Sequence, residues 1–141
     1  VIVGTPSPRH AVLDTHALVW WLTGRTRSLG RAARSFVERV DGGSAVAHVP
    51  ILALVEISEA IRRGLISLGE PFDVFVQRLE NTPSRYRVVP LDSAVVARSH
   101  QLLSIPERGD RLIAATAQHL GLPLVTRDGA IARAIGEDVI W

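Results

Sequence analysis

The fold turns on the reading of residues 10–22, HAVLDTHALVWWL. His10 to Asp14 is a short apolar run that closes on a carboxylate, and Ala17 to Leu22 continues as an apolar helix. A strand passing straight into a helix is the opening half of a β-α-β unit. In a parallel sheet both faces are covered, so Asp14 would stand at a buried strand end. An unpaired charge there is costly and calls for a partner. The dipole of the following helix supplies part of it, and a bound cation could supply more.

Outward from this stretch the alternation repeats. Ala32 to Val40 has helical spacing through Ala33, Phe36, Val37 and Val40, and Asp41-Gly42-Gly43-Ser44 stops it. Ala45 to Val49 reads as the second strand, and Pro50 opens a helix to Arg63. Its apolar stripe is expected to run through Ile51, Leu54, Val55, Ile61 and Leu65. Another helix follows Pro71, with Phe72, Phe75, Val76 and Leu79 at core spacing. Arg87 to Leu91 is a third strand candidate weakened by its proline. Asp92-Ser93 then caps a helix to about Leu103. Asp110 opens the helix RLIAATAQHL, Pro123 to Thr126 is a strand, and Asp128 precedes the helix Ala130 to Ile135. Asp138 to Trp141 reads as a last short strand. The expectation is one α/β domain over residues 10–141, with residues 1–9 as a flexible extension. Its form is a three-layer α/β/α sandwich around a parallel sheet.

Composition narrows the chemistry. The chain has 141 residues, 16 basic and 14 acidic side chains, and no cysteine. All the basic side chains are arginine, so no lysine is available. Without cysteine, disulfides, thiolate catalysis and thiolate zinc sites fall away together. Without lysine, a P-loop and the phosphorylation chemistry of a receiver domain fall away too. The five histidines form no His-Glu-x-x-His pattern, and no serine has a Gly-x-Ser-x-Gly setting. No apolar run approaches the roughly 20 residues of a membrane span, and the first residues have neither the basic flank nor the apolar stretch expected of a secretory signal. A cytoplasmic location is expected. Thr15 to Val37 holds Arg25, Arg27, Arg31 and Arg34 with no acid, a charge asymmetry that suits a phosphate-rich partner or a solvated face.

Ligands of open α/β sheets sit beyond the carboxyl ends of the strands. Acids fall there: Asp14 after the first strand, Glu56 in the helix after the second, Asp110 before the fourth strand's helix and Asp128 past the fourth. Singly, Asp110 and Asp128 also read as helix N-caps and Glu56 as a solvated glutamate. Together they suit a hard divalent cation, Mg²⁺ or Mn²⁺, which takes oxygen ligands and activates a water for attack on a phosphodiester. Arg111 and Arg127 each neighbour one of these acids and could hold a phosphate or pair with the acids.

The segments VLDTHALVWWL (Val12 to Leu22), ILALVEIS (Ile51 to Ser58), DRLIAATA (Asp110 to Ala117) and LPLVTRD (Leu122 to Asp128) occur in the order found in PIN-domain proteins. More narrowly, the chain resembles the VapC toxins of bacterial toxin–antitoxin pairs, and the terminal VIW fits that subgroup. The resemblance implies a PIN-like sandwich and an Mg²⁺- or Mn²⁺-dependent endoribonuclease. It places the family's four acids on Asp14, Glu56, Asp110 and Asp128, and its supporting hydroxyl on Thr126. It also implies a cognate antitoxin, a homodimer, and DNA contact only through the antitoxin. Arg25 and Arg27 join Arg111 and Arg127 as RNA-binding candidates. A proline usual in the loop before the third acid is absent from Glu107-Arg108-Gly109-Asp110, and no role is assigned to Glu107 or His16. The competing expectations are a catalytically silent PIN-like interaction module and a DNA-directed metal-dependent nuclease.

Overall fold

A computed structural model of the chain describes residues 7–141. Five strands, β1 (His10–Leu13), β2 (Val46–Pro50), β3 (Tyr86–Val89), β4 (Leu124–Val125) and β5 (Val139–Ile140), form one sheet in the order β3-β2-β1-β4-β5. Every neighbouring pair is parallel. Seven α-helices connect or flank them: α1 (Thr15–Leu22), α2 (Arg31–Asp41), α3 (Ile51–Arg62), α4 (Phe72–Glu80), α5 (Ser93–Ser99), α6 (Arg108–Leu120) and α7 (Gly129–Ile135).

The central strand shows why three layers form. Along β1, Ala11 and Leu13 point into one core with Phe36, Ile57, Phe75 and Leu79, supplied by α2, α3 and α4. Val12 points the other way, into a second core with Ile105, Ile113, Leu124 and Ile131. Period-two side chains on a strand buried on both sides demand helices above and below. The strand order runs from β1 outward to β3, then resumes at β4 on the other flank of β1. The sheet therefore reverses beside β1, and Asp14 follows that strand directly.

Several local expectations shift. Asp14 caps α1, which starts at Thr15 rather than Ala17, because its carboxylate accepts the Ala17 N–H at 2.8 Å. Strand β3 ends at Val89, so Pro90 lies past the pairing it would have broken. Helix α5 stops at Ser99, short of Leu103. On α3 the buried positions are Ala53, Leu54 and Ile57, whereas Val55 is 58% exposed and Leu65, beyond the helix, 65%. The expected stripe through Val55 and Leu65 is therefore displaced toward Ala53 and Ile57.

Residues 1–6 lie outside the described residues, and with them most of the expected extension. Its last two residues are tied to the domain. The Pro8 carbonyl accepts from Arg39 Nη1 at 2.9 Å, and the Arg9 carbonyl accepts from Val46 N at 2.8 Å.

Candidate active site

Three of the four acids meet at the sheet's switch point. Asp14, Asp110 and Asp128 line one cleft of about 260 Å³, together with His16, Trp20 and Arg127. Glu56 lines a second cleft of about 500 Å³ with Glu107, Arg108 and Gly109. Asp110 and His16 border both, so the two clefts adjoin.

Asp14 is buried and fixed at both oxygens. Oδ1 accepts the Ala17 N–H and Oδ2 accepts the Thr126 hydroxyl. Thr126 is itself buried, and its oxygen accepts the Asp128 N–H at 3.1 Å. A single hydroxyl thus links the first acid to the backbone of the fourth. The resemblance placed a supporting hydroxyl on Thr126; here its proton goes to Asp14. Asp128 caps α7 by accepting the Ile131 N–H at 2.9 Å. Glu56 is half-buried rather than solvated and accepts the Thr15 hydroxyl at 3.1 Å.

Asp110 departs from the expected cap. Helix α6 begins at Arg108 with Glu107 at the N-cap position, so Asp110 sits inside the first turn with its carboxylate facing the cleft. No hydrogen bond to its carboxylate occurs among the described residues. Burial, then the neighbouring Asp128, Glu56, Asp14 and Glu107, push its carboxyl up to about 6. Burial also raises Asp14 and Glu56, against the opposing effect of their hydrogen bonds to Thr126 and Thr15. The ion pairs among the described residues, Arg62–Glu59 and Arg78–Glu70, involve none of these acids.

The cluster is thus a set of hard oxygen donors short of positive charge. Among the described residues no three His, Asp or Glu side chains close around one point at ligating distance, so the set is open rather than a cage. That donor chemistry suits Mg²⁺ or Mn²⁺, which retain several waters and take few protein ligands. Asp14, Asp110, Asp128 and Glu56 are the residues that could hold such an ion.

The arginines divide. Arg127 lines the cleft, with its Cζ 4.9 Å from the Trp20 ring centroid. Arg111 does not line it. Its Nη1 donates to the carbonyls of Ile105 and Pro106 at 2.8 and 2.9 Å, so it clips the loop before α6. The described residues show no bond from it to the neighbouring acid, since adjacent helix residues do not face each other. Arg25 and Arg27 are exposed and line neither cleft. Sequence reasoning missed Thr15 as the partner of Glu56 and Trp20 as a cleft wall. The adjacency of Thr15 to Asp14 was the available signal for the first.

A family model for the PIN domain matches residues 11–136. The chain belongs to the PIN-domain family. Over 127 residues this PIN domain is 33% identical to Ribonuclease VapC12 of Mycobacterium tuberculosis, covering 90% of this chain and 93% of that one. Its fold is similar to that of a toxin–antitoxin complex from Klebsiella pneumoniae, with a TM-score of 0.60 at 19% identity, covering 93% of this chain and 96% of the other. VapBC2 from Rickettsia felis, bound to a DNA fragment from its promoter, gives a TM-score of 0.62 at 15% identity with the same coverage. These structures share the PIN fold; the family model and the 33% relative carry the membership.

Proposed function

We propose that this PIN domain is a divalent-metal-dependent endoribonuclease, the toxin of a toxin–antitoxin pair. The observation that carries the reading is the meeting of Asp14, Asp110 and Asp128, from three separate elements, in one cleft, with none of them in an ion pair among the described residues. The similarity to a relative named as a ribonuclease, and to folds solved in toxin–antitoxin complexes, supports the substrate and an antitoxin partner. A homodimer belongs to the same reading.

Asp14, Asp110, Asp128 and Glu56 would hold one or two Mg²⁺ or Mn²⁺ ions. Bound there, the ion supplies activation of the attacking water and charge stabilisation at the phosphorus. The chain's own contribution is placement. Thr126 and the α1 N-terminus keep the Asp14 carboxylate in one orientation, and Thr15 does the same for Glu56.

The test replaces Asp14 and Asp110 separately with Asn and follows RNA cleavage with Mg²⁺, with Mn²⁺ and with EDTA. We expect activity only with metal in the parent chain, and a loss of at least about 100-fold in each variant. Full activity in both purified variants would sink the mechanism. Calorimetry showing no Mn²⁺ uptake by the parent chain would instead favour the silent interaction module.

A further inference from the structure

Charge alone should draw Arg127 onto the acids. It sits between Thr126 and Asp128 in the chain and shares a cleft with Asp14, Asp110 and Asp128. Yet no ion pair among the described residues includes it, and its guanidinium lies over the Trp20 indole instead. Trp20 is braced in turn. The His16 ring tilts against it at 5.6 Å, and Trp141 meets it edge-on at 5.8 Å. Trp141 is seated so closely on Gly30 that a Cβ there would fall 2.5 Å from its backbone carbon.

A cation held over an aromatic face is attracted through the ring quadrupole, so it keeps its in-plane N–H donors for another acceptor. A salt bridge to Asp128 would engage those donors and neutralise an acid at once. We propose that Trp20 is a positioning residue: it holds Arg127 off the carboxylates, at the edge of the cleft, where Arg127 donates to a phosphate of the bound RNA strand. The inference rests on the RNA reading above and adds how cation and acids coexist in one cleft. The acids stay free for metal, and the guanidinium stays free for the strand. Loss of the indole lets Arg127 collapse onto the acids, which removes the phosphate contact even though the arginine remains.

The test is binding rather than cleavage. Fluorescein-labelled single-stranded RNA is titrated by anisotropy across a salt series, once in EDTA and once in Ca²⁺. The proteins are the parent chain, Arg127→Gln, Trp20→Leu, Trp20→Phe and the double variant Trp20→Leu/Arg127→Gln. Arg127→Gln is expected to weaken binding on the order of tenfold. It should also lower the slope of log affinity against log salt by about 0.7, one single-strand phosphate contact. Trp20→Leu should match it in both respects, Trp20→Phe should keep most of the parent behaviour, and the double variant should be no weaker than either single one.

A Trp20→Leu variant with the parent slope, or a double variant whose losses add, overturns the positioning role and leaves the RNA reading standing. Absence of RNA binding by the parent chain in both conditions overturns the RNA reading, and this inference with it. A second measurement avoids disturbing Trp20. The Arg127 Nε–H resonance, assigned by its loss in Arg127→Gln, should shift on adding RNA. No shift at saturation overturns the phosphate contact.

Discussion

Thr126 is the smallest part of the site on which two acids depend. Its O–H donates to Asp14 in a buried bond, and its oxygen accepts from Asp128 N in a part-buried one. Thr126→Val keeps the shape and removes both bonds, leaving a buried carboxylate one partner short. We expect a loss of about 1–3 kcal/mol in metal-free urea unfolding, with Thr126→Ser recovering most of it. Asp110 has the opposite character, since its neighbours oppose its charge. Its folded carboxyl titrates at about 6 against an ordinary 3.8. Its contribution to stability is therefore full below about pH 4 and lost as pH rises through about 6. His48 runs the other way: burial, then His10 and Arg87, press it down to about 4. Its contribution is full above about pH 6.5 and lost as pH falls toward 4. Asp14 and Glu56 are raised as well and act in the same direction as Asp110, so Asp110→Asn removes only part of that loss. In EDTA the variant's stability relative to the parent should rise as pH climbs from about 4 through about 6. At pH 7.5 it should be more stable than the parent by on the order of 1 kcal/mol, a small gain because the site is partly open to solvent. An equal stability difference between variant and parent at pH 4 and pH 7.5 would contradict the raised Asp110 carboxyl.

At the scale of elements, caps and candidate ligands are the same side chains. Asp14 caps α1 and Asp128 caps α7, each through Oδ1, so the structural and functional readings of these two acids are compatible. Asp110 resisted because an aspartate after a glycine is a strong start signal, and the sequence placed the helix there. The helix instead begins at Arg108, and the Arg111 N–H bonds to the Glu107 carbonyl at 3.0 Å. The Arg111 side chain holds the two carbonyls before that start, an arrangement invisible in the linear pattern. Arg111→Ala should loosen residues 104–109. We expect about 1–2 kcal/mol of destabilisation, faster proteolysis within that loop, and reduced cleavage through the displaced first turn of α6. Unchanged proteolysis of the loop would remove the clip role.

Across the whole molecule the site exists only in the folded state, since its acids are 14, 56, 110 and 128 in sequence and come together through the crossing of the sheet. A cation that binds there and not to the unfolded chain must stabilise the fold. At 100 times its dissociation constant, Mn²⁺ should add about 2.7 kcal/mol, read as a rise in melting temperature. Asp14→Asn should largely abolish that rise; an equal rise in both proteins would place the ion elsewhere.

The sequence by itself determined the order of strands and helices, the parallel sheet and the four acids, because each is written in local terms. Apolar runs bury on both faces of a strand, proline and glycine punctuate, and a carboxylate at a strand end stands out against them. Only the tertiary structure decided that Arg111 faces a loop, that Glu56 is half-buried against Thr15, and that Arg127 rests on Trp20. Those outcomes depend on which surfaces the sheet crossing brings together and on the competition among nearby partners for each polar group. A charge pattern along the chain cannot record who wins that competition.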